Sequence, residues 1–144
     1  MVMERHAKKF LKPSRRIEMN VAVIGLGYIG LPTAALIASK GIKVLGIDVN
    51  EDVVNTINKG KVHIVEPEID VLVKSAVQNG NLRATATPDK ADVFILAVPT
   101  PLQSNNEPDL SYIKSAAEAI APFLEKGNLV ILESTSPVGT TEKL

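Results

Sequence analysis

Five short apolar runs alternate with amphipathic segments along this chain of 144 residues. Each run is flanked by glycine, proline or polar residues, and continuous apolar runs of this kind are typical of strands that helices bury on both faces. The runs predicted as strands are residues 19–24, 43–47, 82–86, 93–98 and 128–133.

Helical spacing of apolar residues fills the intervals between these runs. It predicts helices over residues 28–39, 51–58, 69–79 and 110–124. Asn50 and Asp109 precede two of them as candidate N-caps. Gly41 follows the first helix at the position where a left-handed residue commonly closes a helix, and Gly60 and Gly80 are expected to end the next two helices. The chain is therefore expected to alternate strand and helix.

Strands that alternate with helices pair in parallel through right-handed crossovers. The expected fold class is therefore α/β, a Rossmann doubly wound parallel sheet with a strand order beginning 3-2-1-4-5. After the fifth strand, residues 134–144 begin what looks like another helix, and the usual closing elements do not follow. We therefore expect a sheet truncated after the fifth strand, the front part of something larger, whose exposed last strand could form a homo-oligomer.

Composition narrows the class of protein. The core must be aliphatic, because 45% of the residues are hydrophobic and only 3% are aromatic. The absence of cysteine excludes a disulfide framework, a cysteine-ligated metal and a thiol nucleophile within the chain. With only two histidines we expect no metal site. No apolar run reaches the roughly 20 residues of a membrane span and no signal peptide is visible, so we expect a cytoplasmic protein without a membrane partner.

The formal net charge of zero hides an uneven distribution. Residues 1–16 carry six Lys or Arg and one acid, which leaves ten Lys or Arg against fifteen Asp or Glu in the remainder. A basic arm is able to contact nucleic acid or an anionic membrane, but this one carries no repeat and no recognition motif. We interpret residues 1–16 as a solvated extension without a nucleic-acid partner, and residues 17–144 as the domain.

A glycine-rich turn, GLGYIG, joins the first predicted strand to the first predicted helix. In such a turn Gly25 permits the sharp bend, Gly27 lets the backbone approach a pyrophosphate, and Gly30 allows the helix to pack closely on the strand. The unpaired N–H groups at the helix N-terminus then face the anion. The motif alone also occurs by chance, and its position between a strand and a helix is what favours dinucleotide binding.

Asp48 follows the second predicted strand, 21 residues after Gly27. A carboxylate at this position accepts hydrogen bonds from an adenosine ribose and repels a 2′-phosphate, which favours NAD over NADP. S-adenosylmethionine domains use a similar acid, and an ordinary Asp at a strand end can simply cap the next helix. Combined with the glycine turn, Asp48 predicts NAD as the cofactor.

Further candidates follow the fourth and fifth strands, at the sheet edge where such folds bind ligands. Thr100 lies between two prolines that would hold its loop rigid, although a rigid turn without ligand contact is an equal alternative. The segment 133–141 begins with a carboxylate and is rich in hydroxyls, which orient a nicotinamide, a ribose or a water but also serve as ordinary caps. Glu66 and Glu68 are candidate acid–base groups or helix-dipole partners, and His63 is interpreted as a loop residue.

Taken together, five motifs resemble the amino-terminal NAD-binding domain of the UDP-glucose/GDP-mannose dehydrogenase family. In chain order they are VIGLGYIGLPTA, GIDVN, IVEPEID, AVPTP and ILESTSPVGTTEKL, and the resemblance runs from about Val21 to the last residue. Within the family, the runs VHIVEPEID and LESTSPVGTTEKL are most similar to UDP-N-acetyl-D-mannosamine dehydrogenases.

The resemblance implies a four-electron oxidation of the C6 hydroxyl of a nucleotide sugar to a carboxylate, with two NAD. Beside the three glycines, the residues that it implies as NAD contacts are Tyr28, Ile29, Asp48, Thr100 and Thr141. It implies that Thr135 lies near the nicotinamide and the catalytic water. Family members also use a cysteine that forms a thiohemiacetal and an assisting lysine, both in later segments. Since this chain has no cysteine, we expect the isolated chain to bind NAD weakly at best and to oxidise no sugar without those segments or a complementing chain.

Three interpretations follow from the sequence. The first is the NAD-binding domain of an enzyme that oxidises UDP-N-acetylmannosamine, or UDP-glucose, for polysaccharide biosynthesis. The second is a non-catalytic NAD-binding module that senses NAD or serves a partner unrelated to sugars. The third, a methyltransferase domain that uses S-adenosylmethionine, is disfavoured by the complete GxGxxG motif and by the lack of an acceptor-site motif.

Overall fold

The computed structural model describes residues 18–66 and 68–144. Residues 1–16, interpreted above as a basic extension, lie outside the described residues, as does the proposed domain boundary at residue 17. Within the described part, five strands form one sheet. They are β1 (Asn20–Ile24), β2 (Lys43–Ile47), β3 (Leu82–Thr85), β4 (Val93–Leu96) and β5 (Leu129–Leu132).

The sheet has the order β3-β2-β1-β4-β5, and every pairing in it is parallel. This confirms the predicted Rossmann topology, in which the chain runs outward from β1 to β3 and then returns to the other side of β1. In the register of the sheet, Ile24 lies beside Ile47 and Leu96, and Leu96 lies beside Leu132. The carboxyl ends of these four strands therefore meet at one edge.

Four α-helices connect the strands in this part of the chain: α1 (Gly30–Ser39), α2 (Glu51–Asn58), α3 (Ile69–Gln78) and α4 (Ser111–Ile120). The bounds of α2 are as predicted, and the Asn50 side chain caps it by accepting the Asp52 N–H at 3.0 Å. The left-handed conformation predicted for Gly41 is confirmed, and Gly60 and Gly80, which follow α2 and α3, adopt it as well. No helix within 18–66 and 68–144 combines the length and hydrophobicity that a membrane crossing requires.

The fourth helix differs from its prediction at both ends. It stops before Pro122 rather than near residue 124, because proline has no N–H to donate, and a turn of 3₁₀ helix at Ala121–Phe123 follows. At its start Leu110 occupies the N-cap position, while the Asp109 carboxylate accepts the Ser111 N–H at 2.9 Å. Hydrogen bonds from the side chain and backbone of Ser111 hold the pKa of Asp109 below its ordinary value.

The C-terminal part of the chain is less buried than the centre. Leu129, Val130 and Ile131 of the edge strand β5 are 54%, 41% and 40% exposed. The helix expected within 134–144 is wrong, since only a turn of 3₁₀ helix forms there, at Thr141–Lys143. A proline at 137 and a left-handed glycine at 139 precede that turn, and both residues oppose a continuous helix.

Apolar side chains cover both faces of the sheet around β1. On one face Val21 and Val23 belong to a core that includes α1, α2 and α3. On the other face Ala22 and Ile24 pack with Phe94 and with residues of α4. Because β1 is buried on both sides, the position at which it ends is held firmly by the core.

The Asn58 side chain covers the outer edge of β3, with which no strand of the described residues pairs. Its amide donates to the Ala84 carbonyl at 2.9 Å and accepts the Ala84 N–H at 2.8 Å. Ala84 is only 4% exposed, so water has little access to these two backbone groups. The last residue of α2 thus replaces a neighbouring strand and connects that helix to the sheet.

We expect the substitution Asn58→Ala to lower the free energy of unfolding by about 1–3 kcal/mol, because it leaves a buried N–H and a buried carbonyl without partners. Thermal or urea unfolding measures the loss. The matched control is Asn55→Ala on the same helix, since Asn55 is exposed and makes no side-chain hydrogen bond to any described residue. Equal stability of the two variants would contradict this role of Asn58.

Candidate functional site

Most of the predicted site residues follow the carboxyl ends of the parallel strands. Gly25 follows β1, Asp48 follows β2, and Thr100 and Thr135 lie shortly after β4 and β5. Because these strands are parallel and in register, their carboxyl ends share one edge of the sheet. The order of the strands reverses between β1 and β4, and such a switch point is where open α/β sheets bind ligands.

The glycine turn is shaped by two very close contacts. Gly25 has φ of +91°, and a Cβ on it would lie 2.5 Å from the Ala97 carbonyl oxygen. A Cβ on Gly30 would lie 1.8 Å from the Gly25 carbonyl oxygen. Gly27 differs from both, since a Cβ there would meet no atom within 4 Å. The first and last glycines are therefore needed for packing, whereas the space beside the middle glycine is open.

The N-terminus of α1 presents unpaired donors at this turn. Among the described residues, none accepts a hydrogen bond from the N–H groups of Gly27, Tyr28, Ile29 and Gly30. The first turn of α1 contains no acidic residue, and Ile29 in the N-cap position makes no side-chain cap. Donors of this kind, together with the helix dipole, form a binding site for an anion.

The carboxylate of Asp48 connects β2 to the glycine turn. Its Oδ2 accepts the N–H of Leu26 at 2.9 Å, and its Oδ1 accepts the N–H of Asn50 at 2.9 Å. Asp48 is half-buried, and each of its oxygens has a further lone pair for another donor. The structure thus places a carboxylate beside the turn, where its oxygens can accept hydrogen bonds from the hydroxyl groups of a ligand.

The loop after β4 is held by the end of β5. The Ser134 hydroxyl donates to the Val98 carbonyl at 2.8 Å, immediately before the Pro99-Thr100-Pro101 loop. Thr100 in that loop is half-buried. Sequence reasoning treated Ser134 only as one of several hydroxyls in its segment. A serine directly after an apolar strand was its only signal, and that signal does not reveal a partner more than thirty residues away.

The threonines of the hydroxyl-rich segment 133–141 do not all lie in the same place. Thr135 is exposed directly after the anchored Ser134. Thr141 instead lines a groove of about 750 Å³ between α4, β5 and the C-terminal turn. The buried residue there is Thr140, which is 8% exposed and donates to the Pro137 carbonyl at 2.7 Å. Sequence reasoning had no individual role for Thr140.

The acid–base candidates do not directly follow a strand. His63, Glu66 and Glu68 are exposed and belong to the connection between α2 and α3. Glu68 has a left-handed φ of 73° and occupies the N-cap position of α3 without a side-chain cap. Within 18–66 and 68–144, no group of three His, Asp or Glu residues is arranged to hold a metal ion.

Comparisons with known proteins identify the relatives of the chain. The sequence model of the UDP-glucose/GDP-mannose dehydrogenase family, NAD binding domain, matches residues 19–144. A UDP-N-acetyl-D-mannosamine dehydrogenase from Campylobacter jejuni is 63% identical over 125 residues, which cover 86% of this chain and 31% of that protein. An NDP-N-acetyl-D-galactosaminuronic acid dehydrogenase from Ralstonia nicotianae is 60% identical over 124 residues, which cover 86% of this chain and 29% of that protein.

A solved structure shows the same fold. The UDP-D-ManNAc dehydrogenase from Pyrococcus horikoshii superimposes with a TM-score of 0.83 at 48% identity, over 87% of this chain and 30% of that one. The chain therefore spans about 30% of the length of these relatives. From the match over 19–144, the chain belongs to the UDP-glucose/GDP-mannose dehydrogenase family and contains its NAD-binding domain.

Proposed function

We propose that this chain binds NAD at the carboxyl edge of its sheet, as the NAD-binding part of a nucleotide-sugar 6-dehydrogenase. The observation that carries the proposal is the open glycine turn, with unpaired N–H groups at the start of α1 and free space beside Gly27. The complete reaction converts a primary alcohol, two NAD⁺ and one water into a carboxylate, two NADH and three protons.

The glycine turn fits the pyrophosphate of NAD. Unpaired N–H groups from Gly27 to Gly30 supply donors without the cost of releasing protein acceptors. The exposed Tyr28 and Ile29 side chains flank the same turn, at 62% and 59% exposure. We propose that these four residues and Gly25 form the pyrophosphate site. Bound NAD supplies the hydride acceptor, and the chain binds and orients it.

Asp48 fits the adenosine ribose. Its two backbone hydrogen bonds fix the carboxylate, so little side-chain entropy is lost when a ribose hydroxyl donates to it. The same negative charge repels the extra phosphate of NADP. We therefore assign Asp48 to the recognition of NAD over NADP.

The nicotinamide half is assigned to the other side of the switch point, because the adenosine half lies toward β2. Thr100 and Thr135 follow β4 and β5 on that side, and we propose both as NAD contacts. Thr135 is also proposed to orient the catalytic water, on the family resemblance. Thr141, in the groove beside α4, is proposed as an NAD contact on the resemblance alone.

We propose UDP-N-acetylmannosamine as the sugar, and UDP-glucose as the alternative, in a cytoplasmic reaction. The first choice rests on the relative from Campylobacter jejuni at 63% identity. A relative named for a different sugar is nearly as similar, at 60% identity. The matched part therefore carries little of the sugar selectivity, and we assign that selectivity to segments outside the match.

A non-catalytic NAD-binding module is the second candidate function. The observation behind it is that the groups proposed to bind NAD, the N–H groups of the glycine turn and the Asp48 carboxylate, depend on neither a sugar nor a thiol. The two candidates share the NAD site and differ in whether sugar oxidation follows when the chain is joined to a substrate domain.

A chimera distinguishes these two functions. We expect that a Campylobacter jejuni enzyme whose matched part is replaced by residues 19–144 of this chain forms NADH from UDP-N-acetylmannosamine, whereas the 144-residue chain alone forms none. NADH absorbance measures both. A folded but inactive chimera would contradict the enzyme proposal, and NADH formation by the chain alone would contradict the prediction that it lacks the catalytic groups.

A substitution at Gly27, the middle glycine of the turn, should affect NAD binding and the stability of the fold to different extents. We expect Gly27→Ala to weaken NAD binding about tenfold or more while changing the free energy of unfolding by no more than about 0.5 kcal/mol. The new Cβ meets no protein atom within 4 Å, but it stands where the pyrophosphate would approach. Calorimetric titration and thermal unfolding measure the two effects.

Gly30→Ala is the contrasting control, because its Cβ would lie 1.8 Å from a backbone oxygen and should destabilise the fold. If the Gly27→Ala variant bound NAD with unchanged affinity, the proposal that this turn binds the pyrophosphate would be wrong.

Asp48 determines the choice between the two dinucleotides. We expect Asp48→Asn to shift the ratio of NAD to NADP affinity toward NADP by about tenfold, since it removes the charge that repels the 2′-phosphate. The measurement is the dissociation constant for NAD, for NADP and for S-adenosylmethionine, the ligand of the third interpretation given above. The control is Asp52→Asn, which removes an equivalent exposed charge from the first turn of α2. An unchanged ratio would show that Asp48 does not contact the ribose.

A further inference from the structure

Glu133 and Ser134, the two residues that follow β5, form hydrogen bonds with two different elements of the fold, α1 and the end of β4. The Thr33 hydroxyl of α1 donates to the Glu133 carboxylate at 3.0 Å. The Ser134 hydroxyl donates to the Val98 carbonyl, at 2.8 Å, and lies 3.3 Å from the Leu96 carbonyl. Successive side chains of a strand point to opposite faces, so one residue reaches α1 while the next reaches the end of β4.

The backbone at this point is anchored as well. The N–H groups of Glu133 and Ser134 both donate to the Leu96 carbonyl, at 2.9 and 3.2 Å. Leu96 is the last residue of β4 and is fully buried. These bonds hold the chain immediately before Thr135 against the buried end of β4.

The Thr33–Glu133 bond links two elements that the core does not pack together. Leu129 and Ile131 alternate with Glu133 along β5, and they are 54% and 40% exposed. Neither residue belongs to the described core that includes α1. The orientation of α1 relative to the end of β5 consequently depends on a polar contact between single side chains.

We propose that Glu133 and Ser134 are positioning residues that hold Thr135 and the Thr100 loop relative to the glycine turn, and so align the nicotinamide half of NAD with the pyrophosphate half. The inference rests on the proposed NAD site. Glu133 acts through Thr33 on α1, and Ser134 acts through the Val98 carbonyl on the loop that contains Thr100. Neither residue needs to contact NAD for this role.

A comparison of the affinities for ADP-ribose and for NAD distinguishes the positioning role of Glu133 and Ser134 from simple stabilisation of the fold. ADP-ribose lacks the nicotinamide and uses only the glycine turn and the Asp48 side of the site, whereas NAD spans both halves. We expect Thr33→Val and Ser134→Ala each to weaken NAD binding about threefold to tenfold, and ADP-ribose binding less than about twofold.

The matched variants test the hydrogen bonds themselves. Thr33→Ser keeps the hydroxyl and should restore NAD affinity to that of the unaltered chain. Ser39→Ala removes a serine hydroxyl that donates to the Leu36 carbonyl at the other end of α1, and should change neither affinity. Circular dichroism and thermal unfolding report whether each variant is folded, and Glu133→Ala provides a second removal of the Thr33 bond if Thr33→Val does not fold.

The outcomes are distinguishable. A selective loss of NAD affinity that Thr33→Ser reverses supports the positioning role. If the unaltered chain binds both ligands and the folded variants lose both equally, or lose neither, the positioning role is wrong while the NAD site stands. If the unaltered chain binds neither ligand, the proposed function and this inference both fail.

Discussion

The close approach of α1 to the end of β1 is the contact from which the rest of the site follows. The Gly25 carbonyl oxygen occupies the space where a Cβ of residue 30 would lie, at a separation of 1.8 Å. Only glycine permits this distance, so the helix begins directly against the strand. Its first N–H groups are then directed to the carboxyl edge of the sheet, and an anion there can be bound by backbone alone. The Ala97 carbonyl sets the same requirement for Gly25.

The other parts of the site are arranged around that contact by hydrogen bonds between neighbouring strands. Asp48 reaches from β2 to the Leu26 N–H and limits how the turn can move. Ser134 reaches from β5 to the loop after β4, and Glu133 reaches back to α1. Burial is greatest near β1 and decreases toward β5, so the side proposed for the pyrophosphate rests on the firmest part of the core. The side proposed for the nicotinamide depends more on individual polar contacts, and substitutions there should change alignment more than folding.

Much of the fold could be predicted from sequence because its signals are local. Apolar runs, Asn50 as an N-cap and glycines at helix ends predicted the number and parallel order of the strands and the bounds of α2 correctly, while four of the five strands are one or two residues shorter than predicted. The errors lie where local signals conflict. Pro122 ends α4 early, and the helix expected after β5 does not form beyond a proline and a left-handed glycine. The ligand roles assigned to the glycine turn, Asp48, Thr100, Thr135 and Thr141 stay predictions. For the threonines the sequence signal is ambiguous, because hydroxyls after strands serve caps and ligands alike.

The sequence by itself determined the kind of fold, the cofactor class and the position of the glycine turn, since each is encoded by residues close together in the chain. The tertiary structure decided which distant groups meet. Only folding brings Thr33 to Glu133, a hundred residues later, and Asn58 to the backbone of Ala84 in β3. Only folding shows that Gly27 faces open space while Gly30 is enclosed. The reason is that side-chain partners depend on strand order and register, which set the distance between residues that the sequence keeps far apart.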